Sequence, residues 1–108
     1  MDGLWTWYDP DRKSSGVLVI RDSKVVGGDD CYLCTGTVNL QGDTMNIALT
    51  FELHNSLGTF GGAWGDNAPR FDVVFEGPKN GDVVNGRARR IDMIPEAEIV
   101  MTRHGDLP

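Results

Sequence analysis

Cys31 and Cys34 are the two cysteines of the chain, and their Cys-x-x-Cys spacing is one that redox and zinc chemistry both use. Each use meets an obstacle. If residues 31 to 34 are extended, their side chains alternate between faces and the two Cα atoms stand about 10 Å apart, too far for a disulfide. A structural zinc wants four ligands, and beyond this pair only His54 and His104 remain as soft donors. Unbridged, structural cysteines are therefore expected, with no metal and no cofactor. His54 shares the face of an alternating run with Glu52 and Thr50, where a carboxylate could orient a general base. No Ser or Cys nucleophile stands at a motif position beside it, so a solvent-facing histidine is expected and no catalytic residue is assigned.

Three further groupings have chemical and plain readings. Gly27-Gly28-Asp29-Asp30 carries paired carboxylates that could hold a metal between strands, but it falls between two apolar runs and reads as a hairpin turn. The stretch from Gly58 to Gly65 could cradle a phosphate, yet no Lys-Ser or Lys-Thr pair follows and no long helix supplies a dipole. Arg87, Arg89 and Arg90 lie close to Asp92 and could take an anion. On an acidic chain they read more simply as a paired, solvated stretch.

The elements that must position these residues have a period of two. From Thr44 to His54, Met45, Ile47, Leu49, Phe51 and Leu53 alternate with polar or small residues, which describes a long strand with one dry face. Leu4 to Tyr8, Val17 to Arg21, Lys24 to Gly27 and Tyr32 to Leu40 precede it, separated by short polar or Gly-containing joints that suit hairpins. Arg70 to Gly77, with Phe71, Val73 and Phe75 on one face, Val83 to Ile91 and Ala97 to Arg103 follow. About eight short antiparallel strands joined in sequence, with no helical run long enough for a crossover, predict an all-β up-and-down barrel. An open sandwich is the alternative. Met45, Ile47, Leu49, Phe51, Phe71 and Phe75 are the candidate lining of an interior ligand site. Asn55 to Pro69, with Leu57, Phe60 and Trp64 but no alternation, reads as a long connection, with room for one short helical turn, over a barrel end. Such a connection is the natural place for a ligand lid or partner contact.

With 108 residues, one domain spanning residues 1 to 108 is expected. Hydrophobic residues at 40% and charged residues at 24% match ordinary globular usage. A net charge of −6 repels phosphate backbones and anionic surfaces, which argues against nucleic acid as a partner. No apolar run approaches the roughly 18 residues of a membrane span, and no charged and apolar leader opens the chain. No membrane insertion and a cytoplasmic location are expected.

Gly3-Leu4-Trp5, then Gly16-Val17-Leu18-Val19-Ile20 with Val26-Gly27-Gly28-Asp29, then Tyr32 with Thr35-Gly36-Thr37, carry in that order a resemblance to the GrlR-like family, the negative regulators of bacterial type III secretion and their relatives. The resemblance runs over nearly the whole chain, including Phe71 to Gly77 and Ile99 to Arg103. It implies a lipocalin-like barrel, a homodimer, repression by binding a regulatory protein, and a small apolar or lipid-like ligand in the barrel. Where those regulators carry an acidic run, in the hairpin corresponding to Leu40 to Asp43, this chain has Asp43 alone. Gly3-Leu4-Trp5 also resembles the Gly-x-Trp of lipocalins, whose Trp closes one barrel end beneath an Arg of the last strand. By that likeness Trp5 and Arg103 are the closure pair, unless Trp5 is a plain core aromatic. The leading expectation is a non-enzymatic regulatory or binding barrel. The runner-up is a small barrel enzyme of unknown reaction, suggested by Asp30, His54 and Asp66 being polar and close to the barrel openings.

Overall fold

A computed structural model describes residues 1–55 and 68–108. Eight strands follow one another: β1 (Gly3–Asp9), β2 (Ser14–Arg21), β3 (Lys24–Gly28), β4 (Tyr32–Gln41), β5 (Thr44–Leu53), β6 (Arg70–Asn80), β7 (Val83–Arg90) and β8 (Glu96–Gly105). Each pairs antiparallel with the next, and β1 pairs with β8, so the sheet is a closed barrel in chain order. The alternation foreseen in the sequence is what closes it. On β6 every second residue from Phe71 to Gly77 is buried and the intervening ones are exposed, because successive side chains on a strand point to opposite faces. The open sandwich is thereby excluded. Leu57, Phe60, Trp64 and the short helical turn allowed between Asn55 and Pro69 lie outside the described residues, apart from the two ends of that stretch.

The two barrel ends differ. At one end β2–β3, β4–β5 and β6–β7 turn through two residues each: Asp22-Ser23, Gly42-Asp43 and Gly81-Asp82. Asp22 and Ser23 both have positive φ, at 51° and 65°, as a type I′ hairpin requires. Each of these turns is tied sideways to another strand, with Val38 N donating to Ser23 O, Lys79 N to Asp43 O, and Arg103 N to Asp82 O. Trp5, Ile20, Val25, Met45 and Val84 fill this end and are buried. The other end carries the longer β1–β2, β3–β4, β5–β6 and β7–β8 connections. The end opposite the tight turns is called the mouth.

The seam between the first and last strands sets Trp5 opposite Arg103, just beyond a register shift. Trp5 is fully buried, and its Nε1 donates to Met1 O at 2.9 Å. Arg103 Nε donates to Asp2 O at 2.9 Å, and its Nη2 donates to Asp106. The guanidinium lies against Gly3, where an added Cβ would come within 2.9 Å of Nε. The two are register partners across the seam, and the arginine reaches a backbone carbonyl. Its contact runs over the glycine of the Gly-Leu-Trp motif.

Candidate functional site

Below the mouth the barrel encloses a cavity of about 40 Å³. Ile47, Leu49, Phe51 and Phe75 line it, four of the six residues assigned to the interior from the sequence. Met45 lies away from it at the tight end, and Phe71 stands above it, near the mouth. Trp7, Leu18, Val73, Ala88, Ile99 and Met101 complete the lining. All but Trp7 are on alternating runs that the sequence showed, so the same period would have found them. Trp7 is harder to read, since Trp5, Trp7 and Asp9 share the inner face of β1 while the apolar Leu4 and Tyr8 point out.

The interior is close-packed. A drug-sized ligand occupies roughly 300 to 1,000 Å³, so 40 Å³ takes only a small body unless side chains move. Above the cavity stand three rings. Phe51 and Phe71 stack with centroids 5.1 Å apart, and Tyr32 meets Phe71 edge-on at 5.1 Å. Tyr32 is fully buried, and its hydroxyl donates to Ala68 O at 2.8 Å.

Arg90 departs from the sequence reading. Rather than belonging to a solvated arginine stretch, it is buried, because β7 alternation turns Val84, Ala88 and Arg90 inward. Its guanidinium carbon lies 4.7 Å from the centre of the Phe71 ring. Nε and Nη2 donate to the two carboxylate oxygens of Asp92 at 2.6 and 3.0 Å. The Arg90 hydrogen bond holds the Asp92 carboxyl below its ordinary range. Arg87 and Arg89 do lie outside. Arg87 is 4.0 Å from Glu96, and Arg89 donates to the Ile91 and Met93 carbonyls.

The cysteine pair is correctly read as unbridged and corrected in detail. Both thiols are free and buried. Cys31 sits in the bend before β4 and Cys34 on the inner face of that strand, so the two are not on opposite faces of one strand. Burial pushes the Cys34 thiol up to about 12 and raises Cys31 as well, with Asp29 adding to both and Asp30 to Cys31. The Gly-Gly-Asp-Asp segment is the turn expected of it: the Asp29 carboxylate accepts from Cys31 N at 2.9 Å and Tyr32 N at 2.7 Å. His54 is exposed, 3.0 Å from the Asp29 carbonyl through Nε2, and Asn55 Nδ2 donates to the Asp30 carbonyl. Asp66 lies outside the described residues. Among the described residues no three His, Cys, Asp or Glu side chains converge on a common point.

The chain matches no model of a known protein family, and no curated protein is significantly similar to it. Among the described residues no helix is long and apolar enough to cross a membrane. On the outside of β1 to β4, Leu4, Val17, Val26 and Leu33 are all exposed, between 40% and 56%. The pairings Leu4–Val19–Val26 and Val17–Gly28–Leu33 place them on neighbouring rows of one face. Across the barrel, a groove of about 640 Å³ crosses the outside of β4 to β8. Its charged residues, Glu76, Arg87, Arg89 and Glu96, balance in sign.

Proposed function

We propose that this chain is a non-enzymatic binding barrel of the GrlR type: a regulator that acts by protein–protein contact, works as a homodimer, and holds a small apolar ligand in its interior. The observation that supports this most is the composition of the cavity. A concave site lined by Leu18, Leu49, Phe51, Val73, Ile99 and Met101 favours apolar contact over proton transfer. Of the residues that motivated an enzyme, Asp30, His54 and Asp66, His54 is exposed with its Nε2 3.0 Å from the Asp29 carbonyl, away from the cavity.

The exposed row of Leu4, Val17, Val26 and Leu33 suits the second copy, since a closed two-fold pairing buries one apolar face against itself. The charge-balanced outer groove is left for the regulatory partner, where complementary polar contacts would set specificity. Native mass spectrometry of protein purified from its source tests the reading. A dimer that retains a small apolar molecule is the expected result, and a ligand-free particle of 11.8 kDa at micromolar concentration overturns it.

A further inference from the structure

The side chains around the interior cavity turn only apolar atoms toward it, Trp7 included through its ring carbons. A water placed there finds none of the roughly two to four polar partners that hold a buried water. A hydroxyl, carbonyl or carboxylate carried in gives up its hydrogen bonds to solvent and meets nothing in return. The space is also small, at about 40 Å³, where an apolar protein cavity that takes benzene has about 150 Å³. Its aromatic walls are braced from behind. Phe51 lines the cavity and stacks on Phe71 at 5.1 Å. The Arg90 guanidinium lies 4.7 Å from the centre of that Phe71 ring and is held in turn by both carboxylate oxygens of Asp92. Phe51 therefore swings outward only if this whole column moves. On the β1 side the Trp7 ring fills the space left by Gly16, where a Cβ would come within 2.3 Å of Nε1.

We infer that the interior ligand is a compact molecule without any hydrogen-bonding group, of the size of xenon, dioxygen or a hydrocarbon of about two or three carbons, and that neither a lipid chain nor a polar group enters the cavity. The inference rests on the proposed ligand-binding role of the interior and narrows the class of that ligand. With no donor or acceptor facing the space, affinity comes from taking apolar surface out of water and from dispersion contacts with the wall. No directional bond chooses among ligands, so size and the absence of polar atoms do. A lipid chain needs more length than the cavity offers and would have to push Phe51 against Phe71 and lift Arg90 from Asp92. A compact apolar body enters without disturbing that column.

Carbon–proton correlation NMR of the methyl groups of Leu49, Val73 and Ile99, which line the cavity, tests this with five probes: xenon, propane, its near-isostere dimethyl ether, benzene and decanoic acid. Xenon and propane should shift these methyls in the wild-type protein. Dimethyl ether should bind more than about tenfold more weakly than propane, because its oxygen is desolvated without a partner. Benzene and decanoic acid should be refused, and Ile99→Ala, which removes part of the wall, should admit benzene. Dimethyl ether binding as tightly as propane, decanoic acid or benzene entering the wild-type cavity, or a folded Ile99→Ala that still refuses benzene overturns the inference while the ligand-binding reading stands. If no probe reaches these methyls, or xenon and propane shift only the exposed Leu4, Val17 and Val26, both are overturned. The wild-type probe series decides the matter even where Ile99→Ala fails to fold.

Discussion

Among single residues, Arg90 shows how strand alternation outranks residue type. A guanidinium at an inward position of β7 is kept there by the Phe71 ring at 4.7 Å and by both oxygens of Asp92. Arg90→Ala removes a cation–ring contact worth about 0.5 to 2 kcal/mol together with charge-assisted hydrogen bonds. A loss of about 2 kcal/mol is expected in denaturant melts, against less than about 0.5 kcal/mol for the exposed Arg87→Ala. The same pair gives a pH signature. The carboxyl of Asp92 lies below its ordinary range in the folded protein, so its contribution is present above about pH 4 and is lost as pH falls through the folded value. The stability gap between wild type and Asp92→Asn should therefore narrow below about pH 4, and a gap that stays constant down to pH 2 counts against the pairing. The thiols behave oppositely. Folding raises both, Cys34 to about 12, so their contribution is present below about pH 8.5 and declines as pH rises beyond it. A thiol-reactive disulfide reagent at pH 8 should find no fast-reacting group in the native protein and both cysteines in denaturant. Residue type signals burial for the cysteines but not for Arg90, which is why Arg90 reads as solvated in the sequence.

For the strands and turns, the sequence was legible wherever apolar residues recur at every second position. The stretch from Thr44 to Leu53 and the run Phe71, Val73, Phe75 pass directly into β5 and β6, because burying one face and wetting the other leaves a single register. Two features escaped this logic. Ser14 to Gly16 joins β2 although its residues are small and polar, since the ladder to β1 asks only for backbone groups. Pro78 to Asn80 extends β6 for the same reason. Turn chemistry can be tested separately from packing. Ser23 has φ of 65°, a conformation that costs a non-glycine residue about 1 to 2 kcal/mol, and type I′ hairpins favour glycine at this second position. After the extra backbone entropy of glycine is offset, Ser23→Gly should stabilise the protein by about 0.5 to 1 kcal/mol. A melt showing a loss would mean that the serine hydroxyl, not the backbone, sets this turn.

For the whole molecule, everything depends on the seam between β1 and β8, which joins residues about a hundred positions apart and converts an open meander into a barrel without edges. The Gly-Leu-Trp motif and Arg103 pointed to that seam in the sequence, but the part played by the glycine becomes visible only in three dimensions. Gly3 has φ of 145°, and a Cβ there would lie 2.4 Å from Gly105 O and 2.9 Å from Arg103 Nε. Gly42 provides a matched control: its φ is 61° and a Cβ would meet nothing within 4 Å. Gly42→Ala therefore isolates the backbone cost, about 1 kcal/mol. Gly3→Ala adds steric conflict with a backbone carbonyl and displaces the guanidinium from Asp2 O, which together should bring the loss to about 2 to 4 kcal/mol. Because the clash falls on the last pairing to close, the variant should also lose amide protection first along β1 and β8, while the β4–β5–β6 ladders stay protected. Equal melts for the two alanine variants, or uniform loss of protection around the sheet, would show that the seam is not the point on which closure turns.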